Sequence, residues 1–141
     1  MSGPGPLVEV DPFDLPEWLG VAEVTWTATS GLRGGHRVTG RLAAPGHESL
    51  DCDLLAVDEA YPEAVADDLT RRHAHQSWRH GEILIVRSGD DGGRVTLAVP
   101  GQAFNADLVL DAIGRLARGV GASADDYRVQ LRIGRDRPDD D

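Results

Sequence analysis

The hydrophobic pattern is most regular between Phe104 and Val120. Val109, Ala112, Ile113, Leu116 and Val120 recur there at three- and four-residue spacing, which predicts an amphipathic helix packed by one face. Asn105 suits the N-cap, and Phe104 with Val109 is placed to close a hydrophobic staple over it. Asp107 in the first turn and Arg115 and Arg118 in the last complement the helix dipole. Gly119 is the expected stop, with Val120 folding back behind it.

Period-two alternation marks the strands. Ala22, Val24, Trp26 and Ala28 alternate with Glu23, Thr25 and Thr27, the pattern of a half-buried strand. Gly31, Gly34 and Gly35 supply a turn, and the return strand sets Val38 and Leu42 against Arg37, Thr39 and Arg41. A third strand is expected over Leu50 to Val57, with Cys52 and Leu54 sharing its buried face. From Pro62 to His80 the pattern is helical but split. Val65, Leu69 and His73 define one stripe, Ala74 and Trp78 another, so a bend near Arg72 is expected. Two runs rich in β-branched residues, Ile83 to Arg87 and Arg94 to Val99, predict a second hairpin of central strands. A last strand, Arg128 to Ile133, follows the long helix.

The order βββ-α-ββ-α-β predicts an α+β domain: a two-layer sandwich of a mostly antiparallel sheet with two helices on one face. Residues 1–20 read as an irregular proline-rich strap, 21–134 as one domain and 135–141 as a disordered charged tail. The strap carries Phe13, Leu15, Trp18 and Leu19 among acids. These are too apolar for an idle tail, and they read either as a strap laid over the domain or as a short motif that docks on a partner.

Composition narrows the function. The net charge is −10, from 24 acids against 14 bases, which disfavours nucleic acid and anionic membrane surfaces as partners. Every one of those bases is arginine. Without lysine there is no Walker A loop, no kinase-type phosphate lysine and no Schiff-base catalysis. No apolar run reaches membrane-span length, no signal-peptide pattern opens the chain, and the one cysteine suits a reducing compartment. The expected location is the cytoplasm.

The candidate chemistry lies in RRHAHQSWRHGE, which holds His73, His75, His80 and Glu82. In letters it resembles part of a cupin metal motif, with the glutamate spacing off and the second motif missing. On a helix His73 and His75 point to different sides, and His73 and His80 stand two turns or roughly 10 Å apart. The metal site is therefore the alternative reading, and no cofactor is expected. Ser77 beside these histidines lacks a G-x-S-x-G elbow and an orienting third group. On the outer sheet face, Arg37, Arg41, Arg128 and Arg132 form a candidate anion-binding patch, set against the simpler outcome of pairing with local acids.

AHQSWRHGEILIV and VPGQAFNADLVLDAIGRLARGVG resemble segments of small uncharacterised proteins from GC-rich actinobacteria. That resemblance implies a source and a compartment but no activity. The element order βββ-α-ββ-α is similar to secretion-chaperone-like domains, which are small, acidic, dimeric and bind extended protein segments. This chain lacks their leading helix and ends in an extra strand. The resulting expectation is a non-catalytic, cytoplasmic protein-binding domain of adaptor or chaperone-like kind, acting as a homodimer.

Overall fold

The structure, a computed structural model, describes residues 7–21, 23–31, 37–58, 68–88, 95–101 and 104–131. Among them the strands are β1 (Leu7–Glu9), β2 (Val24–Ala28), β3 (Arg37–Val38), β4 (Gly40–Ala43), β5 (Leu50–Ala56), β6 (Leu84–Ser88), β7 (Val95–Val99) and β8 (Tyr127–Gln130). The α-helices are α1 (Trp18–Val21), α2 (Asp68–Arg79) and α3 (Ala106–Gly119). The fold is α+β. No helix among the described residues is long and apolar enough to cross a membrane.

One sheet runs in the order β1-β6-β7-β5-β4-β2-β8, with β3 also paired to β5. It is mixed: β2 with β8 and β5 with β7 are parallel, and the remaining pairs are antiparallel. Each parallel pair joins strands that lie far apart in sequence, so neither is written in any local hairpin signal.

Successive strand side chains point to opposite faces, and the two hydrophobic clusters follow that alternation. Cys52, Leu54 and Ala56 of β5 lie in the main core with Trp26, Leu42, Ile85, Leu97, Val99 and the buried stripe of α3. Their neighbours Leu55 and Val57 lie in a second cluster with Leu84, Val86, Ala98 and Ala74 of α2. The two helices therefore cover opposite faces of the central strands, and the expected two-layer arrangement with both helices on one face is corrected. Opposite faces are needed because β5, β6 and β7 are apolar on both sides, and each side requires a cover.

The long helix begins at its expected cap. The Asn105 side chain accepts from the Leu108 amide at 2.8 Å, and Phe104 and Val109 are both buried. Its end lies two residues later than the sequence suggests. Gly121, at φ 86, is the left-handed residue. The Gly121 amide bonds the Arg118 carbonyl and the Ala122 amide bonds the Ala117 carbonyl, the paired bonds of a Schellman stop.

Two other expectations change. The helix α2 is unbroken at Arg72, and Leu69 is 57% exposed, while Thr70 and Ala74 are buried and Trp78 packs partly against the main core. Val65 lies outside the described residues. The N-terminal strap contains regular structure and lies against the domain. β1 pairs with β6, a 3-10 turn spans Pro12–Asp14, and Leu15 and Leu19 enter the main core, so the segment belongs to the one folded unit.

Trp26 organises the centre. It is fully buried, and its indole N–H donates to the Cys52 carbonyl at 2.9 Å. The ring lies over Gly40: a Cβ there would meet Trp26 Cζ2 at 2.3 Å. The Tyr127 hydroxyl donates to the Leu19 carbonyl at 2.6 Å and ties α1 to β8. Burial, with the neighbouring Cys52 adding to it, holds the Tyr127 pKa well above the ordinary phenol value.

Two outcomes are expected. Gly40→Ala should lower unfolding free energy by about 1–3 kcal/mol, since the added methyl displaces a packed indole, and it should shift Trp fluorescence. The midpoint of a urea titration reads the first effect; an unchanged midpoint contradicts the packing. For Tyr127, the unfolded chain ionises before the folded one does. Stability from this group is thus intact below about pH 10 and is lost as pH rises further, at up to about 1.4 kcal/mol per pH unit. Tyr127→Phe should cost about 1–2 kcal/mol at neutral pH and flatten that alkaline loss. The difference between the unaltered protein and Tyr127→Phe in urea titrations from neutral to alkaline pH isolates the effect from the other tyrosine and the cysteine.

Candidate functional site

A groove of about 820 Å³ runs along the exposed side of α2. Its polar lining includes Asp58, Arg71, Arg72, His75, Arg79 and His80. Helical spacing explains the grouping: Arg72, His75 and Arg79 fall at i, i+3 and i+7 on one face, opposite the buried Thr70 and Ala74. Asp58 follows β5 and is held in place by two bonds. It accepts from the Gly101 amide at 3.0 Å, and its two carboxylate oxygens lie 2.9 and 3.0 Å from His75 Nε2. Arg71 pairs with Asp68 one turn earlier. Arg72, Arg79 and His80 are exposed, and none of them forms an ion pair with a described acid.

The histidines singled out in the sequence go to separate partners. His73 Nδ1 lies 3.7 Å from Glu9 of β1, His75 faces Asp58, and the Glu82 carbonyl accepts from Arg115. Among the described residues no three His, Cys, Asp or Glu side chains gather around a common point. Cys52 is fully buried against Leu54 and Trp26.

The strap residues divide. Leu15 and Leu19 are buried in the protein's own core, so they are corrected as partner contacts: a side chain already packed has no surface to offer. Trp18 is half-buried and stacks on His47 at 5.3 Å. Phe13 remains 88% exposed, and Val21, which sequence reasoning passed over, is 87% exposed. Both border a groove of about 370 Å³ between the strap and the turn after α3. The signal for Val21 was its place at the end of a very short helix, where only Leu19 turns inward.

A second cleft, about 490 Å³, lies between β1, the start of β6 and the end of α3. Arg115 closes one end. It stacks over Trp78 at 3.5 Å, bonds the Trp78 and Glu82 carbonyls at 2.8 and 3.1 Å, and pairs with Asp111 at 2.9 Å. Three of its five N–H donors serve the fold, linking α2 to α3.

The sheet-face arginines do not converge. Arg37 donates to Asp53, which is 1% exposed, at 2.9 Å, and Arg41 lies 3.5 Å from Asp51. Arg128 is exposed on β8 beside Thr25, and Arg132 lies outside the described residues. Arg37 is thus the counter-charge of a buried carboxylate. Removing it should destabilise the protein by about 1–3 kcal/mol, less than for a fully enclosed pair because its outer end is hydrated. Adding Asp53→Asn to Arg37→Ala should recover part of that loss in a thermal melt; additive losses would contradict the pairing. Compared with protein-family models, curated proteins and solved structures, the chain matches none.

Proposed function

We propose that this protein is a non-catalytic, cytoplasmic protein-binding domain, adaptor or chaperone-like in kind, that works as a homodimer. The observation that carries this reading is the pair Phe13 and Val21, exposed at 88% and 87% and both lining one groove. In a chain that buries Leu15, Leu19, Trp26 and Leu42 completely or nearly so, an exposed phenylalanine beside an exposed valine is an uncovered apolar ridge. Covering such side chains contributes about 1.5–3 kcal/mol each, and an aromatic anchor at the edge of a pocket is the usual form of an interface hot spot. The backbone beneath is rigid, since the 3-10 turn is capped by Asp11 and Leu19 is held in the core. A docking partner would meet a formed surface and order little of it.

Catalysis receives less support. His75 is oriented by Asp58, but among the described residues no serine, threonine or cysteine lines that groove, and Ser77 faces the other cleft. The acidic surface favours solubility of the free form.

Light scattering over a range of concentrations tests the reading. The unaltered protein should run as a dimer, and Phe13→Ser with Val21→Ser should give a monomer whose melting temperature, extrapolated to low concentration, is unchanged. A monomer in both cases, with no protein crosslinked through a photoreactive group at position 13, would remove the support.

A further inference from the structure

The exposed face of α2 is unlike the rest of the molecule. Among the described residues three arginines and two histidines line its groove, against Asp58 and Asp68, in a chain whose net charge is −10. Both acids are already answered, Asp58 by His75 and the Gly101 amide, and Asp68 by Arg71. The remaining cations, Arg72 and Arg79, project from the same helical face and form no ion pair with a described acid. We infer that this groove is an anion site for a small ligand carrying a diphosphate group, with Arg72 and Arg79 gripping its two ends and His75 and Gln76 beneath the middle.

Three physical arguments select that ligand class. Guanidinium groups present fixed forks of donors suited to phosphate and carboxylate oxygens, and here there are more donors than one carboxylate can accept. Arg72 and Arg79 lie seven residues apart, a helical rise of about 10 Å. A lone phosphate would be reached by both only with their side chains bent inward; two linked phosphates relieve that demand. The acidic surroundings settle the size. Screening confines the pull of the groove to about 8 Å at physiological ionic strength, so a long polyanion leaving it would meet acidic surface. A small ligand would not. The groove, at about 820 Å³, lies within the range of roughly 300–1,000 Å³ usual for small-molecule sites.

This site lies on α2, and the apolar ridge lies on the strap, so the inference stands or falls independently of the protein-binding reading. Calorimetric titration of the full chain at fixed ionic strength tests it, with inorganic pyrophosphate as probe. Saturable binding is expected, weakened roughly 10-fold or more by Arg72→Ala and by Arg79→Ala, as for loss of a charge-assisted contact. Arg128→Ala, which removes an exposed arginine on the opposite edge of the sheet, should change nothing. A nucleoside diphosphate arm separates the sources of the group: equal affinity assigns recognition to the diphosphate alone, and tighter affinity adds the nucleoside. Either result supports the site. No saturation up to roughly 1 mM pyrophosphate, the weak end of specific binding, would overturn it. So would equal loss in Arg128→Ala, which would mean diffuse attraction, or tighter binding of a single-stranded RNA oligonucleotide than of pyrophosphate. Melting temperatures of the three variants, all altered at exposed positions, confirm that each is folded.

Discussion

The structure depends on one missing rung. β3 and β4 meet β5 in a single register, Arg37 with Leu55, Val38 with Leu54, Arg41 with Asp51 and Leu42 with Leu50. Between those pairs, at Gly40, the ladder is not continued by backbone alone. The Gly40 amide bonds Asp53 Oδ1 at 3.2 Å, and the Cys52 carbonyl receives the Trp26 indole. Buried backbone groups must find partners, and here two side chains from opposite faces of the sheet serve them. The indole fits only because residue 40 has no Cβ. The buried Asp53 carboxylate is also met by Arg37, at 2.9 Å. The packing of the main core and the ion pair on the opposite face of the sheet thus meet at one pair of residues.

The two edges of the sheet are closed by different means. β1 covers β6 for three residues, and the Val10 amide extends the contact to the Ile85 carbonyl at 2.8 Å. At the far edge β8 lies parallel to β2, brought there by α3 crossing the main core. Tyr127 then joins the two ends of the chain by its bond to Leu19. A short edge strand limits unwanted pairing, and a buried phenol donating to a carbonyl fixes where α1 can sit.

What was legible in the sequence was local. The cap at Asn105, the stripe from Val109 to Leu116 and the shared face of Cys52 and Leu54 each rest on spacing within a few residues, and each is present. What was not legible depends on partners distant in the chain. Gly119 and Gly121 are equally good stops by residue type; the choice between them falls to where Ala122 reaches Ala117. Leu69 outweighs Thr70 on any hydrophobic scale, yet Thr70 faces the sheet because Ala74 and Trp78 share its side. Both parallel pairings, and with them the placement of α2 and α3 on opposite faces, lie beyond any short-range pattern. At the candidate sites, the division of the strap into buried Leu15 and Leu19 and exposed Phe13 follows from the core's need for two leucines there. Composition could not distinguish them. The arginines of α2 stood in plain view beside the histidines, but only the position of Asp58 turns that stretch into a groove.

The helix that carries those arginines is anchored sparingly. Its buried contribution is Thr70 and Ala74, small side chains that remove little apolar area from water, so its own packing stabilises it less than α3 is stabilised by five buried positions. What holds its far end is Arg115, reaching from α3 to stack on Trp78 and to bind the Trp78 and Glu82 carbonyls. Those carbonyls stand at the end of α2 and in the turn beyond it, where acceptors lack intrahelical partners and a cation is favoured by the helix dipole. One turn earlier the Asp58–His75 contact ties the second half of the helix to the residues that follow β5. The exposed arginines Arg72 and Arg79 therefore project from a helix held at two points by charged groups, and the helical rise sets the spacing between them.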